Sequence, residues 1–292
     1  MIARGLPPPH EMTTAIPSIA LPGGGNIPTF GQGTWQMAED RARRANEIKA
    51  LRTGIDLGIT LIDTAELYGE GAAEELVAEA IAERRNNVIL VSKVLPQNAT
   101  RQGTIKACER SLKRLRTDHL DFYLLHWRGS VPLRETVEAF DALMQAGKIR
   151  RWGVSNFDVD DMEELLALPG GKAAATNQVL FNLTRRGIER DLIPWSRRHN
   201  IPLMAYSPIE QGRLLRQAAL RKIAERLKAT PAQVALAWVL ALPNICAIPK
   251  AGSTPHVREN HGALQLRLTP QDMAALDAAF PSPKKKVPLE MI

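Results

Sequence analysis

Apolar and polar positions alternate along this chain on two periods. Short apolar runs end in polar residues, and each is followed by a stretch patterned for a helix. The runs are TFGQGTW (29–35), LIDT (61–64), VILVSK (88–93), LDFYLLH (120–126), IRRWGVSN (149–156), AATNQV (174–179), PLMAYS (202–207) and NICAIPK (244–250). Between them apolar residues recur three to four apart, the spacing of one helical face. In 99–116 these are Ile105, Cys108, Leu112 and Leu115; in 71–82 they are Ala73, Leu76, Val77, Ala80 and Ile81. Pro231 predicts a helix over 232–241, because its missing N–H costs nothing in a first turn. A last helix is predicted over 270–280.

Strands alternating with helices imply a parallel sheet. Eight such units in about 250 residues fit a closed α/β barrel, the (β/α)8 TIM barrel, better than an open doubly wound sheet. The stretch SIALPGGGNIP (18–28) reads as an N-terminal β-hairpin turning at Gly23–Gly25 and covering the bottom of the barrel. No Gly/Ser/Pro-rich linker interrupts the pattern, so 15–292 is read as one domain. Residues 1–14, MIARGLPPPHEMTT, read as a flexible extension in which Met12 offers an alternative start.

Composition narrows the function classes. At 292 residues and 45% hydrophobic, the chain can bury one large core. No apolar run is long enough to cross a bilayer, and the first residues lack the apolar centre of a signal peptide. Two cysteines, Cys108 and Cys246, make no disulfide framework and fit a reducing, cytoplasmic setting. The net charge of +7 is spread over helical faces, with one compact run at Lys284–Lys286. That distribution argues against nucleic acid and for a basic site that takes a phosphorylated small molecule.

In a barrel of this kind, chemistry sits at the carboxyl ends of the strands. The residues there are Asp63, Lys93, His126, Ser155, Asn156, Gln178, Tyr206, Ser207 and Lys250. A carboxylate at the end of a buried run is costly unless paired, and Lys93 on the next strand is its natural partner. Tyr68 follows on the loop after that strand, with Gly69 and Gly71 allowing a sharp turn behind it. An ammonium beside the phenol is expected to lower its pKa from about 10 toward working pH, making Tyr68 a general acid. His126 can donate a hydrogen bond to the same substrate oxygen. This is a site for carbonyl reduction or its reverse, and it needs a hydride from a cofactor. No G-x-G-x-x-G follows the first strand and no P-loop occurs, so the barrel itself must hold that cofactor.

Together GITLIDTAELYGEG, ILVSK, DFYLLHW, IRRWGVSNF, NQV, AYSPIEQGRLL and IPKAGSTPHVREN resemble the aldo-keto reductases over residues 15–280. The resemblance implies hydride transfer between a nicotinamide dinucleotide and an aldehyde or ketone, with Asp63, Tyr68, Lys93 and His126 as the catalytic tetrad. It implies that Tyr206 stacks on the nicotinamide and that Ser155, Asn156 and Gln178 fix its carboxamide. The loop Ser207–Leu214, including Gln211 and Gly212, would meet the pyrophosphate through backbone N–H groups. Lys250 and Ser253 would meet the 2′-phosphate, and Glu259 and Asn260 the adenine. The family commonly has an arginine where this chain has His256. Arg258, about 200° further round a helix, does not replace it. NADP(H) is therefore expected mainly through Lys250 and Ser253, with NAD(H) as a second possibility.

Trp35 and Trp127 resemble aromatic positions of the family's substrate pocket, and HWRGSVPL (126–133) resembles bacterial members that reduce small aldehydes such as methylglyoxal. The short end PSPKKKVPLEMI, without a long closing loop, predicts an open mouth and broad specificity. A monomer without metal is expected. Two other readings stand beside this one: a metal-dependent barrel hydrolase using Asp63 and His126, which Lys93 and the dispersed histidines oppose, and a cofactor-binding regulatory barrel subunit, which the intact tetrad opposes.

Overall fold

Each of the eight apolar runs carries a strand in the computed structural model, which describes residues 15–292; the expected extension 1–14 lies outside the described residues. A hairpin comes first, β1 (Ser18–Ala20) and β2 (Asn26–Pro28). The barrel strands are β3 (Gly31–Gly33), β4 (Leu61–Asp63), β5 (Ile89–Val94), β6 (Leu120–Leu125), β7 (Ile149–Ser155), β8 (Asn177–Leu180), β9 (Leu203–Tyr206) and β10 (Ile245–Ala247). They pair in parallel in chain order. The ring is completed by single bridges joining Phe30 to Ala247 and Gly33 to Lys250. A hydrogen bond from Gly33 N–H to the Pro249 carbonyl, 3.0 Å, lies at this seam. A side chain at Gly33 would strike the Ile248 carbonyl at 2.9 Å, so glycine is what lets the ends of the sheet meet.

The helices are α1 (Arg44–Asp56), α2 (Ala72–Ile81), α3 (Arg101–Leu115), α4 (Leu133–Gln145), α5 (Val159–Ala167), α6 (Leu192–His199), α7 (Ala218–Arg226), α8 (Pro231–Leu240), α9 (Thr254–Gly262) and α10 (Pro270–Ala279). Their starts follow local chemistry. Thr100 accepts from Gly103 N–H at the start of α3. Thr230 and Thr269 form capping boxes ahead of Pro231 and Pro270, two prolines placed where no donor is missed. The expected faces of α2 and α3 are the buried ones, down to Leu76, Val77, Cys108 and Leu115.

Inside the barrel Leu61, Val91, Phe122, Leu124, Met204, Cys246 and Ile248 form a core of their own. Leu21 and Ile27 of the hairpin join it. Gly23, Gly24 and Gly25 all take positive φ, which makes the tight hairpin possible. The bottom of the barrel is thus filled, leaving the top for chemistry.

The C-terminal segment departs from the expected open mouth. It runs back over the barrel top instead. Lys286 pairs with Asp191 at 3.4 Å and Glu290 with Arg185 at 2.6 Å. Met291 and Ile292 end against the central cavity. Its sequence does not show this closure because its partners, Arg185 and Asp191, sit about a hundred residues earlier.

Candidate active site

The strand ends bring the expected residues together. Asp63 closes β4, Lys93 lies near the end of β5, His126 follows β6, and Tyr68 hangs on the loop after β4. Lys93 is fully buried, and its Nζ spends its three donors on three oxygens. These are Asp63 Oδ2 at 2.8 Å, the Thr64 carbonyl at 2.9 Å and the Tyr68 hydroxyl at 3.1 Å. Gly69 and Gly71 take positive φ behind Tyr68, as expected for the turn that aims its ring. His126 packs edge-on to Tyr68 with ring centroids 5.8 Å apart. Its Nδ1 is buried without a partner, so the imidazole has Nε2 to offer to the cavity.

Electrostatics correct one expectation. The Tyr68 pKa is raised above its ordinary value, not lowered. Burial raises it most, Lys93 pulls it down, and Asp63 pushes it up again. The sequence shows the ammonium but not that Asp63 offsets it, nor how completely water is excluded. Tyr68 is therefore a neutral phenol with a proton to give. For Lys93, burial alone would favour loss of charge, but Asp63 and then Tyr68 outweigh it and hold the pKa above the usual lysine value. His126 is pushed well below the ordinary histidine range by burial and then by Lys93, so it is neutral.

Above the tetrad lies a cavity of about 370 Å³, lined by Tyr68, His126, Tyr206, Trp35 and Trp127 among others. Trp35 meets Tyr68 edge-on at 5.0 Å, and Trp127 lies against His126 at 4.8 Å. Both tryptophans thus line the cavity.

The proposed cofactor residues border the same space. Ser155, Asn156, Gln178, Tyr206, Ser207, Gln211, Gly212, Lys250, Glu259 and Asn260 all line it. Ser253 does not; it precedes α9, and its hydroxyl makes no capping bond there. Lys250 is exposed and has no hydrogen bond or ion pair among the described residues, leaving a free cation at the edge of the cavity. The Tyr206 hydroxyl donates to Asn156 Oδ1 at 2.9 Å. Asn156 Nδ2 donates in turn to the His126 carbonyl at 3.0 Å and to Ser155 Oγ at 3.1 Å. The loop after β9 is less open than expected. The backbone N–H groups of Glu210, Gly212 and Arg213 are taken up by turns within the loop. Gly212, at φ 85° with nothing near its missing Cβ, still leaves room above it. Among the described residues no group of three or more His, Cys, Asp or Glu could hold a metal ion.

The Aldo/keto reductase family model matches residues 29–280. The chain belongs to the aldo/keto reductase family. It is 52% identical over 279 residues to the methylglyoxal reductase YeaE of Escherichia coli, covering 94% of this chain and 98% of that protein. It superposes with a TM-score of 0.92 on an aldo/keto reductase of Klebsiella pneumoniae solved in complex with NADP and acetate, at 48% identity over 94% of this chain and 99% of that one. A second Klebsiella pneumoniae aldo-keto reductase structure, in complex with NADPH, gives the same TM-score of 0.92 at 48% identity, over 96% of this chain and 100% of that one.

Within this aldo/keto reductase, several cavity residues escape a reading of the sequence. Leu67 and Ile209 line it from two loops, and Met291 and Ile292 from the C-terminal segment. Burial pushes the Tyr206 phenol up, and the Ile292 backbone at the end of this segment pulls it partly back. Glu210, 5% exposed, accepts from Asn182 at 2.7 Å and from Arg185 at 3.1 Å, which ties the loop after β9 to the loop after β8. Leu67, next to Tyr68, and Ile209, inside the Ser207–Leu214 loop, carried a signal in their positions; Met291 and Ile292 carried none.

Proposed function

We propose that this aldo/keto reductase reduces small aldehydes and ketones, α-oxoaldehydes such as methylglyoxal among them, to alcohols with NADPH. The observation that carries the reading is Lys93 Nζ, bonded at once to Asp63 and to the Tyr68 hydroxyl beneath a cavity that His126 also faces. The cavity fits a dinucleotide. The Tyr206 ring offers a flat face, Lys250 stands at the edge with no side-chain partner among the described residues, and the loop from Ser207 to Gly212 turns tightly through four residues with positive φ: Ser207, Glu210, Gln211 and Gly212. When bound, NADPH supplies the hydride.

The chain's own residues do the rest. His126 donates Nε2–H to the carbonyl oxygen and orients it toward Tyr68. As negative charge grows on that oxygen, Tyr68 gives up its proton, and Lys93 stabilises the phenolate left behind. Asp63 keeps Lys93 charged and aimed. Trp35, Trp127 and Met291 supply apolar walls to the cavity. Ser155, Asn156 and Gln178 would hold the carboxamide, Lys250 and Ser253 the 2′-phosphate, and Glu259 and Asn260 the adenine. The 52% identity to a methylglyoxal reductase supports the substrate class. We read the enzyme as a cytoplasmic monomer, to which its two buried, unpaired cysteines are suited. A panel of methylglyoxal, longer aldehydes, ketones and sugars, assayed with NADPH and with NADH, tests the proposal. Turnover of none of them with either cofactor would sink it.

A further inference from the structure

Both oxygens of Asp63 are in use. Oδ2 accepts from Lys93, and Oδ1 accepts from Gln178 Nε2 at 2.8 Å. A carboxylate only accepts, so the Gln178 amide has one admissible orientation: its NH2 group faces Asp63 and its Oε1 faces away. That Oε1 takes no hydrogen bond among the described residues, and Gln178 lines the cavity. The residue is held rigidly. Its backbone carbonyl accepts from Asn156 N–H at 2.8 Å and from Ser155 Oγ at 2.9 Å, and its side chain is nearly fully buried. Nε2 also lies 3.6 Å from Met204 Sδ, a weak acceptor that does not compete with a carboxylate.

We propose that Gln178 is a positioning residue of the catalytic tetrad: its amide N–H holds Asp63 against Lys93 and tunes the acid strength of Tyr68, while its oxygen remains for the carboxamide of the dinucleotide. The proposal rests on the reductase reading above. Its physics is electrostatic. Asp63 opposes ionisation of Tyr68, and the positive end of the Gln178 amide dipole counters part of that charge. Removing the N–H leaves a buried carboxylate oxygen bare. Asp63 then pulls harder on Lys93 and opposes the Tyr68 phenolate more strongly, so Tyr68 becomes a weaker acid.

The titratable groups around this cluster are few. Asp63 on β4 and Lys93 on β5 are the charged pair. His126 after β6 is neutral. Tyr206 on β9 and Cys246 on β10 are held protonated by burial. A pH effect at Tyr68 therefore reports on the Asp63–Lys93 pair and on what holds it.

Two variants test the inference, read by the pH profile of kcat and by NADPH binding to the enzyme through quenching of protein fluorescence. In Gln178→Met the donor is lost. The alkaline limb of kcat should move up by about one pH unit and kcat should fall about tenfold, the scale of one charge-assisted hydrogen bond. Gln178→Glu keeps the shape and the acceptor. Protonated, it donates to Asp63; ionised, it repels it, and a carboxyl beside another carboxylate in a buried site has a raised pKa. Its kcat should approach wild type at low pH and fall as pH rises through neutrality, with NADPH affinity within about threefold of wild type at low pH. If Gln178→Met fails to fold, Gln178→Glu at low pH still decides. Variants that weaken NADPH binding while leaving the pH limb of kcat in place would overturn the inference and leave the reductase reading standing. That reading fails separately, if the wild-type enzyme reduces no carbonyl at all.

Discussion

Glu290 meets Arg185 at 2.6 Å, and the same guanidinium reaches Glu210 at 3.1 Å. One side chain on the loop after β8 thus fastens both the C-terminal segment and the loop after β9, and the cavity lies between them. Arg185 and Glu290 are partly exposed, so their pair is worth only about 0.2–1 kcal/mol. Glu290→Ala should therefore loosen the closure modestly. NADPH release, followed by stopped-flow fluorescence, should quicken about two- to fivefold, and the difference from wild type should shrink at high salt. Unchanged release rates would show that the segment does not restrain the cofactor.

Tyr68→Phe removes the proton donor while keeping the ring that packs against Trp35 and His126. A general acid contributes about 10²–10⁴-fold, so kcat for aldehyde reduction should fall by that factor with NADPH affinity nearly unchanged. A variant with near wild-type kcat would end the assignment of Tyr68 as the acid.

Lys250 stands at the cavity edge with no side-chain partner among the described residues. A charge-assisted contact is worth about 1.5–3 kcal/mol, a ten- to hundredfold effect on binding. Lys250→Met should weaken NADPH by about that factor and leave NADH nearly untouched, bringing the two close to parity in a fluorescence titration. Equal losses for both cofactors would place Lys250 at the pyrophosphate or in the barrel framework.

His126 makes folding depend on pH. Burial, then Lys93, hold its folded pKa well below the ordinary value. The unfolded chain binds a proton near pH 6.5 that the folded chain refuses, so the stability it contributes is present above about pH 6.5 and is lost as pH falls below it, by up to ~1.4 kcal/mol per pH unit. The His126→Gln variant should show a correspondingly flatter loss of stability between pH 6.5 and 5 in urea unfolding. Parallel curves for the two proteins would mean that His126 is not held neutral.

The strand and helix order was legible in the chain because it depends on local spacing. Runs such as VILVSK and LDFYLLH end in Lys93 and His126, and barrel geometry alone sends such ends to one mouth. Thr230–Pro231 and Thr269–Pro270 announce their helices for equally local reasons. The meeting of Asp63, Tyr68, Lys93 and His126 could be read the same way, since each sits at a strand end or one turn beyond it. What the sequence could not give was the balance of fields at one point. Lys93 lies beside Tyr68, yet burial and the charge of Asp63 raise the phenol's pKa, and only the folded arrangement sets those terms against one another. The C-terminal segment was likewise decided by partners far away in the chain, Arg185 and Asp191, whose positions depend on closure of the barrel. Gln178 shows both limits at once: the sequence places it at a strand end, and the tertiary structure turns its amide onto Asp63, 115 residues earlier, because a buried carboxylate oxygen needs a donor and the closed barrel brings that one within reach.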